Sequence, residues 1–241
     1  MMALRTTSLI LFLAIAGISG HMQLSNPPPL RSKFNPYTGS NIDYSMTSPL
    51  RVDGSDFPCK GYHQLLHTPL GAPVAMLEGG KSYTMTITGE TIHAGGSCQA
   101  SLSVDGGKTF IVLHSYIGNC PAIFGDNHLS FQVPSDIPNQ DRALFAWTWF
   151  NKLGNREMYM NCASVSTRPG PGEMYGLFSR PKLFTANVGN GCVTVESRDV
   201  MIPNPGPEVT VDNPGAVPPV GKCGTRTTGA PAGGNAREGW P

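Results

Sequence analysis

A histidine at position 21 follows directly on the stretch LFLAIAGISG and opens the segment HMQLSNPPP. Residues 1–20 carry one basic residue, Arg5, then an apolar run from Leu9 to Ala16, and end on the small residue Gly20. That is the layout of a secretory signal peptide, and the run is too short to span a bilayer. Cleavage after Gly20 makes His21 the first residue of a secreted, extracellular protein. It then offers one metal ion two nitrogens at once, its α-amine and its ring Nδ1, which close a small chelate ring. The amine has an ordinary pKa of about 7.7–8, so a metal displaces its proton at little cost near neutral pH. A second imidazole completes a set of three nitrogens, which suits copper(II), the ion at the top of the divalent affinity series. The plainer alternative for His21 alone is chance, since any residue can follow a leader.

The second imidazole must come from His63, His67, His93, His114 or His128. His63 and His67, in HQLLH, have the i,i+4 spacing of some zinc sites, but Gly61, Pro69 and Pro73 crowd the segment and argue against a stable helix. His114 ends a strand and His128 starts one, positions where a histidine usually serves structure. His93 sits in GETIHAGGSCQ, a turn-like loop between two strands. Ala94, Gly95 and Gly96 leave its ring sterically open, and strand-flanking loops are where binding sites collect. Spacing alone makes His93 the best candidate.

The segment REMYMNC supplies further chemistry. Strand alternation puts Glu157, Tyr159 and Asn161 on one face and Met158, Met160 and Cys162 on the other. A phenol facing a metal can take a long axial position, and a nearby carboxylate can hydrogen-bond a metal-bound oxygen. Without the two histidines, both residues read as an ordinary sheet tyrosine and an exposed strand charge.

The elements that must position these groups are short. KSYTMTITGE (81–90), CQASLSV (98–104), KTFIVLHS (108–115), HLSFQV (128–133), ALFAWTWF (143–150), REMYMNCASV (156–165) and GCVTVES (191–197) read as strands. Asp105-Gly106-Gly107 is a hairpin signal between two of them. With 29 Gly and 22 Pro spread between apolar runs, the pattern predicts an all-β chain, an immunoglobulin/fibronectin-III-like β-sandwich with long irregular loops and short helices. Residues 21–78 read as long loops with a short helix near 61–67. From Asn204 onward the chain is a Pro/Gly-rich tail, expected to wrap the domain as far as Cys223 and to lack fixed structure beyond. The division is a leader over 1–20, a sandwich domain over 21–207 and a tail over 208–241 partly docked through Cys223. Lys and Arg number 17 against 16 Asp and Glu, and no basic run occurs, which argues against nucleic-acid or anionic-membrane partners. Six cysteines in an exported chain suggest three disulfides, with the pairing open on spacing alone.

Taken together, these segments resemble the lytic polysaccharide monooxygenases of auxiliary activity family eleven, the fungal chitin-active group. The resemblance rests on HM (21–22), SPLRVDGSDFPCKG (48–61), IHAGGSCQASLS (92–103), LHSYIGNCP (113–121), FAWTWFNKLGNREMYMNCASV (145–165) and FTANVGNGCVTVESRDVMIPNPGP (184–207). It implies one copper ion in a histidine brace: His21 through its amine and Nδ1, and His93 through a ring nitrogen. Tyr159 falls on the family's axial tyrosine and Glu157 on its carboxylate near the metal, and the two are the expected catalytic residues. The implied reaction is oxidative cleavage of a β-1,4-linked polysaccharide, chitin above all, oxidised at the anomeric carbon. Oxygen or hydrogen peroxide is the oxidant, and a small molecule or protein donates electrons. The protein is expected to act as a monomer on crystalline chitin. A non-catalytic copper-binding cell-surface protein of the same fold is the rival, and it has no use for Tyr159 and Glu157.

Two segments depart from the family pattern. RSKFNPYTGSNIDYSMT (31–47) is longer than its counterpart, and Phe34, Tyr37 and Tyr44 are candidates for stacking on sugar rings, packing of the loop being their plainer role. Thr91 stands where a smaller residue is expected beside the copper. No C-terminal chitin-binding extension is expected. The expected disulfides are Cys59–Cys162, Cys98–Cys120 and Cys192–Cys223, each contributing about 2–4 kcal/mol by restricting the unfolded chain.

Overall fold

Alternating apolar residues and turn-forming Gly, Asn and Asp give the chain eleven strands among its described residues. The computed structural model describes residues 21–171 and 176–224. The leader expected over 1–20 and the tail beyond Gly224 lie outside them. The strands are β1 (Met22–Asn26), β2 (Ala75–Glu78), β3 (Ser82–Gly89), β4 (Gly96–Ser103), β5 (Ile111–Ile117), β6 (Asn127–Gln132), β7 (Gln140–Asn151), β8 (Tyr159–Arg168), β9 (Cys192–Val193), β10 (Val209–Val211) and β11 (Val220–Gly221). One sheet has the order β1-β3-β6 and a second β10-β5-β4-β7-β8-β2, with a small β11-β9 pair beside them.

Burial explains why β7 and β8 carry apolar residues on both faces. One face of the six-stranded sheet, including Ala100, Leu113, Phe145, Trp147, Trp149 and Tyr159, packs against Met22, Leu24, Met85, Ile87 and Phe131 of the three-stranded sheet. This is the core of a β-sandwich. The other face, with Leu144, Phe150, Met158, Met160 and Cys162, is covered by loops that contribute Leu30, Leu50, Leu66, Phe184 and Val188. The long irregular segments are therefore a third layer of the core. The Cys59–Cys162 disulfide fastens that layer to β8, Cys98–Cys120 joins β4 to the connection after β5, and Cys192–Cys223 closes the end of the described chain. Among the described residues no helix is long and apolar enough to cross a membrane.

Several elements differ from their sequence expectation. REMYMNC enters its strand only at Tyr159, so Glu157 sits on the approach to β8. GCVTVES forms a two-residue strand, Cys192–Val193. The region expected to be loops holds β1 and β2, and the segment after 207 adds β10 in parallel to β5. Each of these strands is too short to show a period, and each forms because a neighbouring edge supplies its hydrogen bonds. The helix expected near 61–67 is a 3-10 turn over Cys59–Leu65, broken by left-handed Lys60 and Gly61.

Candidate metal centre

His21 stands at the head of β1, whose register with β3 pairs Met22 with Gly89. A Cβ on Gly89 would lie 2.2 Å from the His21 carbonyl oxygen, so only glycine lets β3 pass this close. The outer edge of β1 is tied to β8 by a side chain: Leu24 N donates to Asn161 Oδ1 at 2.9 Å. Asn161 Nδ2 in turn donates to Met46 O at 3.3 Å, engaging the 31–47 loop.

His93 is placed by a different device. His93, Ala94, Gly95 and Gly96 run through positive φ values of 47°, 57°, 93° and 137°. For His93 and Ala94 that conformation costs on the order of 1 kcal/mol each and persists only where the surroundings over-determine it. Here they do. Gly95 N donates to Ile92 O, Leu153 N to His93 O, Lys152 N to Gly95 O and Cys120 N to Gly96 O. Trp149 Nε1 also reaches Gly95 O at 3.2 Å.

The β7–β8 turn that grips His93 also aims Glu157. Buried Asn151 accepts from Glu157 N through Oδ1, and its Nδ2 donates to Leu153 O and Asn155 O. The Arg156 guanidinium bonds the carbonyls of Asn151, Lys152 and Gly154. Asn187 Nδ2 donates to Glu157 O at 2.9 Å. Tyr159 lies under this turn, its ring 4.4 Å from Trp149, and donates its hydroxyl to Glu157 Oε2 at 2.6 Å. Burial first, then the Glu157 carboxylate, pushes the Tyr159 phenol far above its ordinary range. It stays protonated.

These elements bring the two histidines together. The His21 and His93 rings lie 5.0 Å apart with their planes 25° from parallel, and His21 is 5.6 Å from Tyr159. His21 Nδ1 and His93 Nε2 are both buried without a hydrogen-bond partner. A buried polar atom left so costs about 1–3 kcal/mol unless something else satisfies it. Donor atoms of His21, His93 and Glu157 all lie within 4.8 Å of one another, the one such cluster of three among the described residues. Burial first, then the neighbouring His21, lowers the His93 pKa and so favours the neutral ring, the form that binds metal. Two orphaned imidazole nitrogens facing one space fit a nitrogen-preferring ion such as copper.

The other histidines lie apart from this cluster. His63 Nδ1 is 3.1 Å from Pro58 O, His114 Nε2 is 2.9 Å from Thr210 Oγ1, and His128 Nδ1 is 3.1 Å from Thr86 Oγ1. His67 is exposed. Thr91 is half-buried ahead of His93. In the 31–47 loop Phe34, Tyr37 and Tyr44 are exposed, Tyr44 at 89%, while Asn35, Thr38 and Met46 are buried. Sequence reasoning missed Asn151 and Arg156, and set Asn161 on the face of Glu157 and Tyr159 without giving it a role. The cluster of Asn, Gly and Arg in FNKLGNRE, between two apolar strands, was the signal for the first two.

No protein-family model matches the chain. It is 52% identical over 185 residues to AA11 family lytic polysaccharide monooxygenase A of Aspergillus fumigatus, an alignment covering 76% of this chain and 81% of that protein. It is 33% identical over 251 residues to lytic polysaccharide monooxygenase B of the same species, covering 92% and 56%, and 36% identical over 219 residues to an AA11 family member of Aspergillus oryzae, covering 80% and 48%. Similar solved structures include a cellulose-active polysaccharide monooxygenase from M. thermophila, with TM-score 0.48, 13% identity and coverage of 86% of this chain and 98% of that one. An AA10 lytic polysaccharide monooxygenase from Streptomyces lividans has TM-score 0.41 and 12% identity, covering 61% and 99%. On the identity and coverage of the first of these relatives, the chain belongs to the AA11 family of lytic polysaccharide monooxygenases, which are copper-dependent oxidoreductases.

Proposed function

We propose that this protein is secreted, loses residues 1–20, and binds one copper ion through the freed His21 amine, His21 Nδ1 and His93 Nε2. The observation that carries this reading is the pair of buried, unpartnered imidazole nitrogens on rings 5.0 Å apart. The substrate is a β-1,4-linked polysaccharide, chitin first, oxidised at the anomeric carbon with oxygen or hydrogen peroxide and an external electron donor. Bound copper supplies the one-electron redox chemistry for activating the oxidant. The chain's own residues set the stage for it. Tyr159 would turn its phenol toward the bound ion, its hydroxyl held by Glu157 Oε2. Glu157 accepts the Tyr159 hydrogen at Oε2, which leaves Oε1 to hold or release a proton beside the metal. Gly89 and Gly96 keep both histidine-bearing segments close to their neighbours, and the sandwich behind them excludes water. Residues 21–207 are the catalytic domain, and the tail after it is docked as far as Cys223.

The test uses protein with His21 as its true first residue, loaded with copper and given β-chitin and ascorbate. Mass spectra are expected to show aldonic-acid chito-oligosaccharides, and none when a glycine precedes His21. Tight copper binding with no oxidised product from chitin or any other glycan would favour the non-catalytic copper-binding alternative.

A further inference from the structure

The connection between β5 and β6 touches both histidine-bearing segments. Gly125 N donates to Gly89 O at 2.8 Å, and Gly89 is the residue packed against the His21 carbonyl. Toward its other end, Cys120 N donates to Gly96 O, Cys120 is bonded to Cys98, and Pro121 O would lie 3.6 Å from a Cβ on Gly95. The loop thus runs alongside the space that His21 and His93 share.

One side chain fixes its shape. Asn127, 6% exposed, accepts through Oδ1 from the backbone of Ala122 and Ile123 at 2.8 and 3.0 Å. Its Nδ2 donates to Ile123 O and Gly125 O at 2.8 and 3.2 Å. A buried amide with four bonds holds the turn rigidly, yet the turn points large apolar side chains at water: Ile123 is 58% exposed and Phe124 68%. The stretch GNCPAIFG carries no charge. A rigid, uncharged pair of apolar side chains costs little ordering entropy when something lands on it. It suits a flat partner with C–H faces, and a β-1,4-linked pyranose chain offers such faces because its ring hydroxyls lie equatorial.

We infer that Ile123 and Phe124 form an apolar platform that seats sugar rings of the polysaccharide beside the His21–His93 pair. This rests on the polysaccharide reading above and adds the residues that grip the polymer. Phe178, 69% exposed on the Leu177–Ser179 turn, is a matched control. Leu177 N donates to Asp136 Oδ1, and the neighbouring Ser135 O accepts from Gly170 N just past the far end of β8.

The experiment is a depletion isotherm on insoluble β-chitin with the full mature chain. Ile123→Ala/Phe124→Ala is expected to bind about tenfold more weakly, equivalent to ~1.4 kcal/mol, with copper affinity and melting temperature equal to the parent's. Phe124→Trp restores binding, and Phe178→Ala binds as the parent does. A double variant that binds chitin as tightly as the parent overturns the platform, as does an equal loss in Phe178→Ala. A parent that ignores chitin overturns the chitin reading, and the same isotherm on cellulose then decides the platform. A parent that binds neither polymer overturns both.

Discussion

Around His114 a half-buried imidazole has the needs of its Nε2 met, whereas half-buried His21 and His93 each turn inward a buried nitrogen whose needs are unmet. His114 stacks on Tyr116 with ring centroids 4.3 Å apart and its Nε2 lies 2.9 Å from Thr210 Oγ1. Burial, opposed by Glu208 and aided by Arg180, lowers its pKa, as burial lowers that of His93. Both rings are therefore held neutral. The difference lies in where the neutral lone pair goes. At His114 a threonine uses that nitrogen, and at the pair the inward nitrogens have no partner. Desolvation alone does not mark a ligand. An orphaned lone pair on a rigid frame does.

The strongest way to break this comparison is to remove one member of the open pair. A glycine ahead of His21, or His93→Ala, is expected to lower copper affinity by more than the 10–100-fold typical of losing an outer partner, measured by calorimetry. His114→Gln is expected to leave it unchanged. Next in size, Glu157→Gln keeps copper and loses on the order of 10²-fold or more in rate of oxidised product, read by chromatography. A rate within twofold of the parent would contradict its role.

Asn151→Ala probes the support of the open pair. It unpairs Glu157 N, Leu153 O and Asn155 O, for an expected loss of about 1–3 kcal/mol in a denaturant titration. Copper affinity falls with it, because Leu153 N holds the His93 carbonyl. The smallest effect belongs to the satisfied site. An unfolded histidine gains its proton near pH ~6.5, while folded His114 resists protonation until lower pH. Its contribution is therefore intact above that value and is lost as pH falls from ~6.5 toward the lowered folded pKa. Copper-free parent melts at lower temperature at pH 5 than at pH 7.5, and His114→Gln flattens that slope. An unchanged slope would show that His114 does not contribute to it.

How much of this was legible before folding depends on residue type. The loop GETIHAGGSCQ advertised a turn through its glycines, and alternation in MYMNCAS separated Tyr159 from Met158, Met160 and Cys162, as the two cores do. The central strands showed themselves through length and apolar content. What stayed hidden depends on who meets whom. β1 and β10 are edge pairings of three to five residues, and nothing in their sequence names the partner edge. Asn151 and Asn127 each adjoin an expected strand and carried no reading, yet their amides organise the β7–β8 turn and the Ile123–Phe124 platform. Tyr37 and Tyr44 drew attention as aromatics while Phe124 did not, because only the fold puts Gly125 against Gly89.

The central claim is that His21 and His93 together make one copper site. Titrating copper into protein that begins at His21, followed by calorimetry and electron paramagnetic resonance, tests it most directly. The account predicts one tightly bound ion per chain with hyperfine coupling from three nitrogens, lost in His93→Ala. Binding that survives His93→Ala unchanged, with the same nitrogen couplings, would contradict it.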